Sequence, residues 1–325
     1  MTIGVIGGGA WGTALAQVLA SGGTAVRLWA REAEVVGAIN ERHENTVFLP
    51  GIPLSPNVSA TQQLGDLADA DPILVVTPAQ HMRTVLRDLP GRGQPLILCS
   101  KGIEAGSHQF LHHVAAEEVP GSRIAVLSGP TFAHEVASGL PTAVTLAADP
   151  IDCANELAGV IARPSFRPYV SSDVVGAEIG GAVKNVLAIA CGVVEGAGLG
   201  QNARAAVIAR GFAEMARFGV ARGARMETLA GLCGLGDLVL TCSSTSSRNY
   251  SLGVGLGRGQ SAQSLLADRK TVAEGAFTAP VLREAALAAG VDMPVAQAVC
   301  ALLDGAEVAD VVDGLLNRPL REEGV

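Results

Sequence analysis

The stretch Ile3-Gly-Val-Ile-Gly-Gly-Gly-Ala-Trp-Gly-Thr-Ala-Leu-Ala decides how this chain is read. Gly7, Gly9 and Gly12 have the G-x-G-x-x-G spacing, directly after an apolar run from Ile3 to Ile6 that reads as a buried strand. Ala14, Leu15, Val18 and Leu19 then recur at helical spacing. Strand, glycine turn and helix in that order form a dinucleotide cradle. Gly7 permits the tight turn, and Gly9 lets the backbone approach a pyrophosphate. Gly12 lets the helix pack closely on the strand, with its N-terminus facing the anion. Three glycines mean little in a chain holding 40 of them, and a glycine-rich turn without a nucleotide is the bland alternative. Their place between a strand and a helix carries the reading.

Working outward, Thr24-Ala-Val-Arg-Leu-Trp-Ala reads as a second strand, and Val35 to Ile39 as helical. Pro72-Ile-Leu-Val-Val-Thr-Pro, Pro95-Leu-Ile-Leu-Cys-Ser, Arg123-Ile-Ala-Val-Leu-Ser-Gly-Pro and Thr142-Ala-Val-Thr-Leu-Ala read as further strands. Continuous apolar runs separated by helical stretches predict a mostly parallel, doubly wound α/β sheet of the Rossmann type. After about Ser172 the period turns helical, as over Ala182 to Val194, Ala203 to Ala216 and Pro280 to Ala289. Val295, Val299, Leu302 and Leu303 continue that spacing. The expected division is a dinucleotide-binding domain over residues 1–175 and an all-α substrate and catalytic domain over 176–325.

The 325 residues suffice for two domains with a large core, and aromatic residues at 3% leave that core to Ala, Val, Leu and Ile. A net charge of −8 without any basic run argues against a nucleic-acid partner. The six cysteines are scattered with no C-x-x-C pair, which suits reduced core thiols in a cytoplasmic protein. Met1-Thr2 leads straight into the first strand, so no signal peptide is expected. The apolar stretch after Ile179 is broken by Lys184 and Glu195, so no membrane span is expected either.

Candidate chemistry sits at strand ends and at charges in apolar surroundings. The second strand ends at Leu28-Trp-Ala-Arg, with no carboxylate before Glu32 to hold a ribose 2′-hydroxyl. Arg31 there would attract a 2′-phosphate, which favours NADP(H) without excluding NAD(H); the alternative is a solvated surface charge. Lys101 and the Gly129-Pro-Thr turn follow strands and would suit an anionic substrate, though each alone is ordinary loop chemistry. Lys184 is a lone charge in a long apolar helix, beside Asn185. Burying an ammonium is costly, so Lys184 is either a general acid/base or a side chain whose amine reaches water along an apolar stem. Asp237, in the glycine-rich Gly231-Leu-Cys-Gly-Leu-Gly-Asp, is either a partner for Lys184 or a helix N-cap. Ser246-Ser-Arg-Asn groups hydroxyls, a guanidinium and an amide into a candidate phosphate clamp. His108, His112 and His113 lie at helical spacing without a matching ligand set, which reads as a solvated helix face and predicts no metal.

Taken together, these segments resemble the bacterial-type NAD(P)-dependent glycerol-3-phosphate dehydrogenases, from Ile3 to about Pro294. The motifs that carry the resemblance are the glycine loop, Phe48-Leu-Pro, Ser100-Lys-Gly and Ser128-Gly-Pro-Thr-Phe-Ala-His-Glu-Val. They continue with Gly180-Gly-Ala-Val-Lys-Asn-Val, Asn202-Ala-Arg, Gly234-Leu-Gly-Asp-Leu-Val-Leu-Thr-Cys and Ser247-Arg-Asn. The resemblance implies hydride transfer between NAD(P)H and dihydroxyacetone phosphate to give sn-glycerol 3-phosphate for phospholipid synthesis, with the active site between the two domains. It makes Lys184 the acid/base. Substrate contacts fall on Lys101, Gly129, Thr131, Asp237, Ser247, Arg248 and Asn249. Cofactor contacts fall on Trp11, Arg31, Lys101, Ala133, Arg248, Val272 and Glu274, beside the glycines. A homodimer is the assembly carried with this reading. Ala10 departs from the serine many members have, and Thr271-Val-Ala-Glu-Gly differs from the usual valine-rich version. Two other readings stay open: a non-catalytic NADP(H) sensor, which needs neither Lys184 nor Asp237, and a related dehydrogenase for another small hydroxy substrate, which needs no phosphate clamp.

Overall fold

The computed structural model describes residues 1–90, 93–267, 273–320 and 322, and the chain divides into two compact units. The first comprises Met1–Ser100 and Gln109–Val174; the second comprises Lys101–His108 and the chain from Val175 onward. The eight residues from Lys101 to His108 thus belong with the second unit, although strand and helix of the first flank them in sequence.

Among the described residues the first unit holds one eight-stranded sheet, in the order β3-β2-β1-β4-β5-β6-β7-β8. The strands are β1 (Thr2–Ile6), β2 (Ala25–Trp29), β3 (Val58–Thr61), β4 (Ile73–Val75), β5 (Leu96–Leu98), β6 (Ile124–Ser128), β7 (Thr142–Ala148) and β8 (Phe166–Ser171). Six parallel strands run 3-2-1-4-5-6, the doubly wound order whose direction reverses between β1 and β4. The expected Rossmann-type sheet is therefore present, with one qualification to its parallel character: β7 pairs antiparallel to β6, and β8 then runs parallel to β7. The sequence reading missed β3 and β8. Both are edge strands; β3 is short and half-exposed, and Pro168 lies inside β8. Proline cannot donate to a ladder and is tolerated only at such an edge, so it masks the strand signal.

Helices α1 (Ala10–Ala20), α2 (Ala33–Arg42), α3 (Met82–Arg87), α4 (Leu111–Glu118), α5 (Ala133–Ala137) and α6 (Ile151–Ile161) accompany the sheet. Ile3, Val5, Leu15, Leu19 and Leu28 are fully buried at the start of the core, and Phe166 is its largest fully buried side chain. Small aliphatic residues fill the remainder, as the low aromatic content requires.

The second unit is helical: α7 (Val174–Gly196), α8 (Gly200–Ala221), α9 (Met226–Leu229), α10 (Asp237–Thr241), α11 (Arg248–Gly257), α12 (Ala262–Leu265), α13 (Glu274–Ala288), α14 (Pro294–Leu303) and α15 (Val308–Leu316). Pro280, where the helical period was read as beginning, lies inside α13, which starts at Glu274. Helix α7 is long and apolar enough to cross a membrane by length and composition alone, despite Lys184 and Glu195. Its apolar window is 89% buried inside the protein, so it is the core helix of this unit. A Cβ on Gly180 would lie 2.2 Å from the Cys233 carbonyl oxygen. Only glycine lets the π-helical turn Leu232–Gly236 come so close to α7, and Asp237 follows that turn directly.

Candidate active site

One turn beyond Gly180, on the same face of α7, stands Lys184. The close approach of the π-helical turn delivers Asp237 to it. Lys184 Nζ donates to Asp237 Oδ1 at 2.6 Å and to Thr241 Oγ1 at 2.9 Å. Lys101 Nζ donates to the other oxygen, Oδ2, at 2.7 Å. Thr241 lies one turn after Asp237 in α10 and bonds back to Oδ1 at 3.2 Å, which fixes the carboxylate's rotation. The side chains of Asp237, Lys184 and Lys101 are 0%, 7% and 14% exposed, so the cluster is dry except at its lysine end.

Two ammonium groups on one carboxylate cannot be held equally. Burial lowers the Lys184 amine most, the neighbouring Lys101 charge adds to that, and Asp237 opposes both; the outcome is a group pushed down to about 8. Burial also acts against the Lys101 ammonium, but Asp237 outweighs it and Lys101 is raised. One lysine thus stays a fixed cation while its neighbour is poised to give and take a proton near neutral pH. The sequence alternatives for Asp237 resolve accordingly: Gly236 precedes α10 as its cap, and Asp237 is the partner of Lys184.

The candidate clamp residues begin α11. Ser247 is its N-cap, with Oγ accepting from the Tyr250 backbone N–H at 3.2 Å. Arg248 follows, exposed at the helix N-terminus, where a guanidinium and free backbone N–H groups suit an anion. Asn249 is buried, and its Oδ1 accepts from Gly275 N–H at 2.8 Å, tying the start of α13 to α11 and leaving Nδ2 as its donor. Glu274, the first residue of α13, has its carboxyl raised by burial against the opposing pull of Arg248, Lys101 and Lys184, which places it in the same electrostatic neighbourhood. Val272 lies outside the described residues.

In the first unit the glycine loop spans the end of β1 and the start of α1. Gly7 has φ 127°, which favours glycine, and a Cβ there would meet the Val76 carbonyl oxygen at 2.9 Å. A Cβ on Gly12 would lie 1.9 Å from the Gly7 carbonyl oxygen, so α1 packs on the turn itself even more tightly than on the strand. Gly9 differs: its Cβ would find nothing within 4 Å. That open face above a helix N-terminus fits a pyrophosphate. Trp11 sits in the first turn of α1, and Ala133 opens α5, which packs on α1. Gly129 follows β6 with φ 157°, and Thr131 Oγ1 donates back to its carbonyl at 3.2 Å. Arg31 is 80% exposed and touches Glu32 at 3.2 Å.

Thr241 was not singled out from the sequence, although its place four residues after Asp237 was a usable signal. Asn185 was noted only as the neighbour of Lys184; it is 5% exposed in α7. The histidines do not share one helix face. His112 and His113 belong to α4, whereas His108 precedes it at φ 55° and reaches Glu284 at 2.8 Å. Among the described residues no three His, Cys, Asp or Glu side chains gather as a metal site.

The chain matches known proteins over nearly its whole length. Residues 2–154 match the family profile described as NAD-dependent glycerol-3-phosphate dehydrogenase N-terminus, and residues 173–313 match the C-terminus of the same family. A glycerol-3-phosphate dehydrogenase (NAD(P)+) of Sphingopyxis alaskensis is 64% identical over 322 residues, covering 99% of this chain and 98% of the relative. One from Erythrobacter litoralis is 65% identical over 321 residues, covering 99% and 97%. The crystal structure of glycerol-3-phosphate dehydrogenase from Coxiella burnetii superposes with a TM-score of 0.93 at 37% identity, covering 98% of this chain and 99% of that one. Matches over both parts of the chain, at this identity and coverage, place it in the NAD-dependent glycerol-3-phosphate dehydrogenase family.

Proposed function

We propose that this protein reduces dihydroxyacetone phosphate to sn-glycerol 3-phosphate with NAD(P)H, reversibly, supplying the glycerol backbone of phospholipids. The observation that carries the reading is the buried Lys184–Asp237–Lys101 cluster, in a chain that also has a nucleotide cradle. A sensor of NADP(H) has no use for two lysines desolvated around one carboxylate.

Bound NAD(P)H supplies the hydride. The protein's task is the negative charge that then develops on the carbonyl oxygen. Lys184 in its ammonium form directs two N–H bonds at Asp237 and Thr241, and its third donates to that oxygen and delivers the proton. In the oxidative direction the neutral amine removes the proton from the alcohol. Lys101 remains charged and adds a fixed positive field. Arg248, Ser247 and Asn249 hold the substrate phosphate, whose binding energy orients the carbonyl; each charge-assisted bond is worth about 1.5–3 kcal/mol. Gly129 and Thr131 are assigned to the substrate as well. Gly7, Gly9, Trp11, Gly12, Arg31, Ala133 and Glu274 are assigned to the cofactor, which Lys101 and Arg248 also touch. The burial of all six cysteines, with no C-x-x-C pair, is consistent with a cytoplasmic setting, and a homodimer is the assembly in this reading, to be checked by light scattering.

The test is the loss of NADPH absorbance on adding dihydroxyacetone phosphate, with unphosphorylated dihydroxyacetone as control. Oxidation that requires the phosphate supports both the reaction and the clamp. Absence of oxidation with NADPH bound overturns the reaction and leaves the cradle.

A further inference from the structure

The glycine loop is braced by a residue far from it in sequence. Asn45 follows α2 and is fully buried. Its Nδ2 donates to the Gly8 carbonyl oxygen at 2.8 Å and to Thr13 Oγ1 at 2.8 Å. Its Oδ1 accepts from Phe48 N–H at 3.0 Å, and its backbone carbonyl accepts from Leu49 N–H at 3.0 Å. The side chain is therefore held by its own loop at one end and grips the glycine loop at the other. Thr13, also fully buried, adds its hydroxyl to the same Gly8 carbonyl at 3.4 Å, while its backbone N–H donates to the Gly9 carbonyl at 3.0 Å.

Peptide geometry turns this grip into an orientation. In a trans peptide the C=O and the N–H point in opposite directions. Drawing the Gly8 carbonyl into the core aims the Gly9 N–H outward, and drawing in the Gly9 carbonyl does the same for the Ala10 N–H. Neither N–H has a protein acceptor among the described residues. They lie at the positive end of α1, beside Gly9, where an added Cβ finds open space. Glycine peptides rotate freely unless held, so the glycines permit the cradle but do not set it.

We propose that Asn45, acting with Thr13, is a positioning residue that presets the pyrophosphate-binding N–H groups of the glycine loop. The inference rests on the cradle binding NAD(P)H, and preorganised donors are what make such a cradle tight. Asn45→Asp tests it because the side chain keeps its shape and the acceptor for Phe48 N–H. It loses the donor, sets an oxygen against the Gly8 carbonyl and adds an ionisable carboxyl, for which Thr13→Val serves as the uncharged control.

The experiment is fluorescence titration of NADPH into wild type, Asn45→Asp, Thr13→Val and Thr13→Ser, each well below its melting temperature. There, a residue that merely stabilises the fold leaves the Kd unmoved. The expected result is a Kd raised about tenfold or more in Asn45→Asp and about threefold in Thr13→Val, with Thr13→Ser near wild type. A Kd within about twofold of wild type in folded Asn45→Asp overturns the proposal, and Thr13→Val decides in the same way if the Asp variant does not fold. Failure of the wild type itself to bind NADPH overturns instead the functional reading on which the proposal rests.

Discussion

Lys184 and Lys101 grip opposite oxygens of one buried carboxylate, Asp237, at 2.6 and 2.7 Å. The arrangement separates two like groups by function. The more buried lysine is lowered to about 8, the other is raised, and the carboxylate between them keeps both in register. Reduction needs the Lys184 ammonium and oxidation needs its free amine. The kcat/KM for dihydroxyacetone phosphate reduction should therefore fall as pH rises through about 8, and that for glycerol 3-phosphate oxidation should rise through the same pH. Lys184→Ala should lower turnover by about 10³-fold while NADPH titration gives a Kd close to wild type. Retention of most of the wild-type rate would falsify the acid/base assignment.

Asp237 offers a stability test of the same cluster. Asp237→Asn leaves two ammonium groups desolvated around a neutral amide, and breaking a buried pair in this way costs about 3–5 kcal/mol. Denaturant unfolding at pH 7 should show that loss. The deficit should shrink in Asp237→Asn combined with Lys184→Met, because one of the stranded charges is gone. Equal stability of Asp237→Asn and wild type would mean that the lysines find other partners.

Gly9 and Gly12 share the same motif but should fail differently. Gly9 has φ −70° and ψ 178°, which alanine adopts easily, and its Cβ would project into open space. Gly9→Ala should unfold within about 1 kcal/mol of wild type yet bind NADPH about tenfold or more weakly, because the methyl occupies the ligand's place. Gly12→Ala drives its Cβ into the Gly7 carbonyl at 1.9 Å and should cost about 3 kcal/mol of stability in the absence of any ligand. Parallel melts and titrations check both, and a stable Gly12→Ala protein contradicts the packing argument.

Arg31 is the residue proposed to read the cofactor's 2′-phosphate. Its side chain is 80% exposed and its ion pair among the described residues is with Glu32 at 3.2 Å, so it is available to a 2′-phosphate at little cost. Arg31→Ala should weaken NADPH about tenfold and NADH less than about threefold. Equal weakening of the two cofactors would show that Arg31 contacts a part they share, such as the adenine, and does not read the 2′-phosphate.

What the sequence made legible follows from the range of each interaction. The glycine loop and the central strands were readable because their signals are local: a run of apolar residues, a spacing, a helical period. The edge strands β3 and β8 were lost because half-exposure and Pro168 blur that pattern. The charge on Lys184 could be flagged as costly from its apolar neighbours, but its two alternatives stayed even until Gly180 was seen to admit the turn that carries Asp237. Lys101 was read at a strand end, whereas its segment joins the second unit. Asn45 left no local trace, since its partners Gly8 and Thr13 lie in another part of the chain and the bond to Gly8 is to a backbone carbonyl, which has no sequence signature.

Glu214 supplies a pH dependence away from the active cluster. It lies buried in α8 and caps α14 from outside, with Oε1 accepting from Val295 N–H at 2.7 Å and Oε2 from Ala296 N–H at 3.2 Å. Pro294 opens α14 and has no N–H, so these are the first two donors the helix presents. Burial raises the carboxyl to about 7 despite these bonds and the charge of Arg217, with Asp292 adding to the rise. The folded state therefore holds its proton more tightly than the unfolded chain, whose carboxyl has the ordinary value near 4.3. Between those two values the folded protein binds more protons, so this group's contribution to stability is full at low pH and declines as pH rises toward about 7. The loss amounts to something on the order of 3 kcal/mol. Glu214→Gln cannot ionise and should remove that slope. Denaturant unfolding of both proteins from pH 5 to pH 8 should show the wild type losing stability relative to the variant as the pH rises. Parallel curves would mean that the cap holds its charge throughout, and that the helix N-terminus outweighs burial.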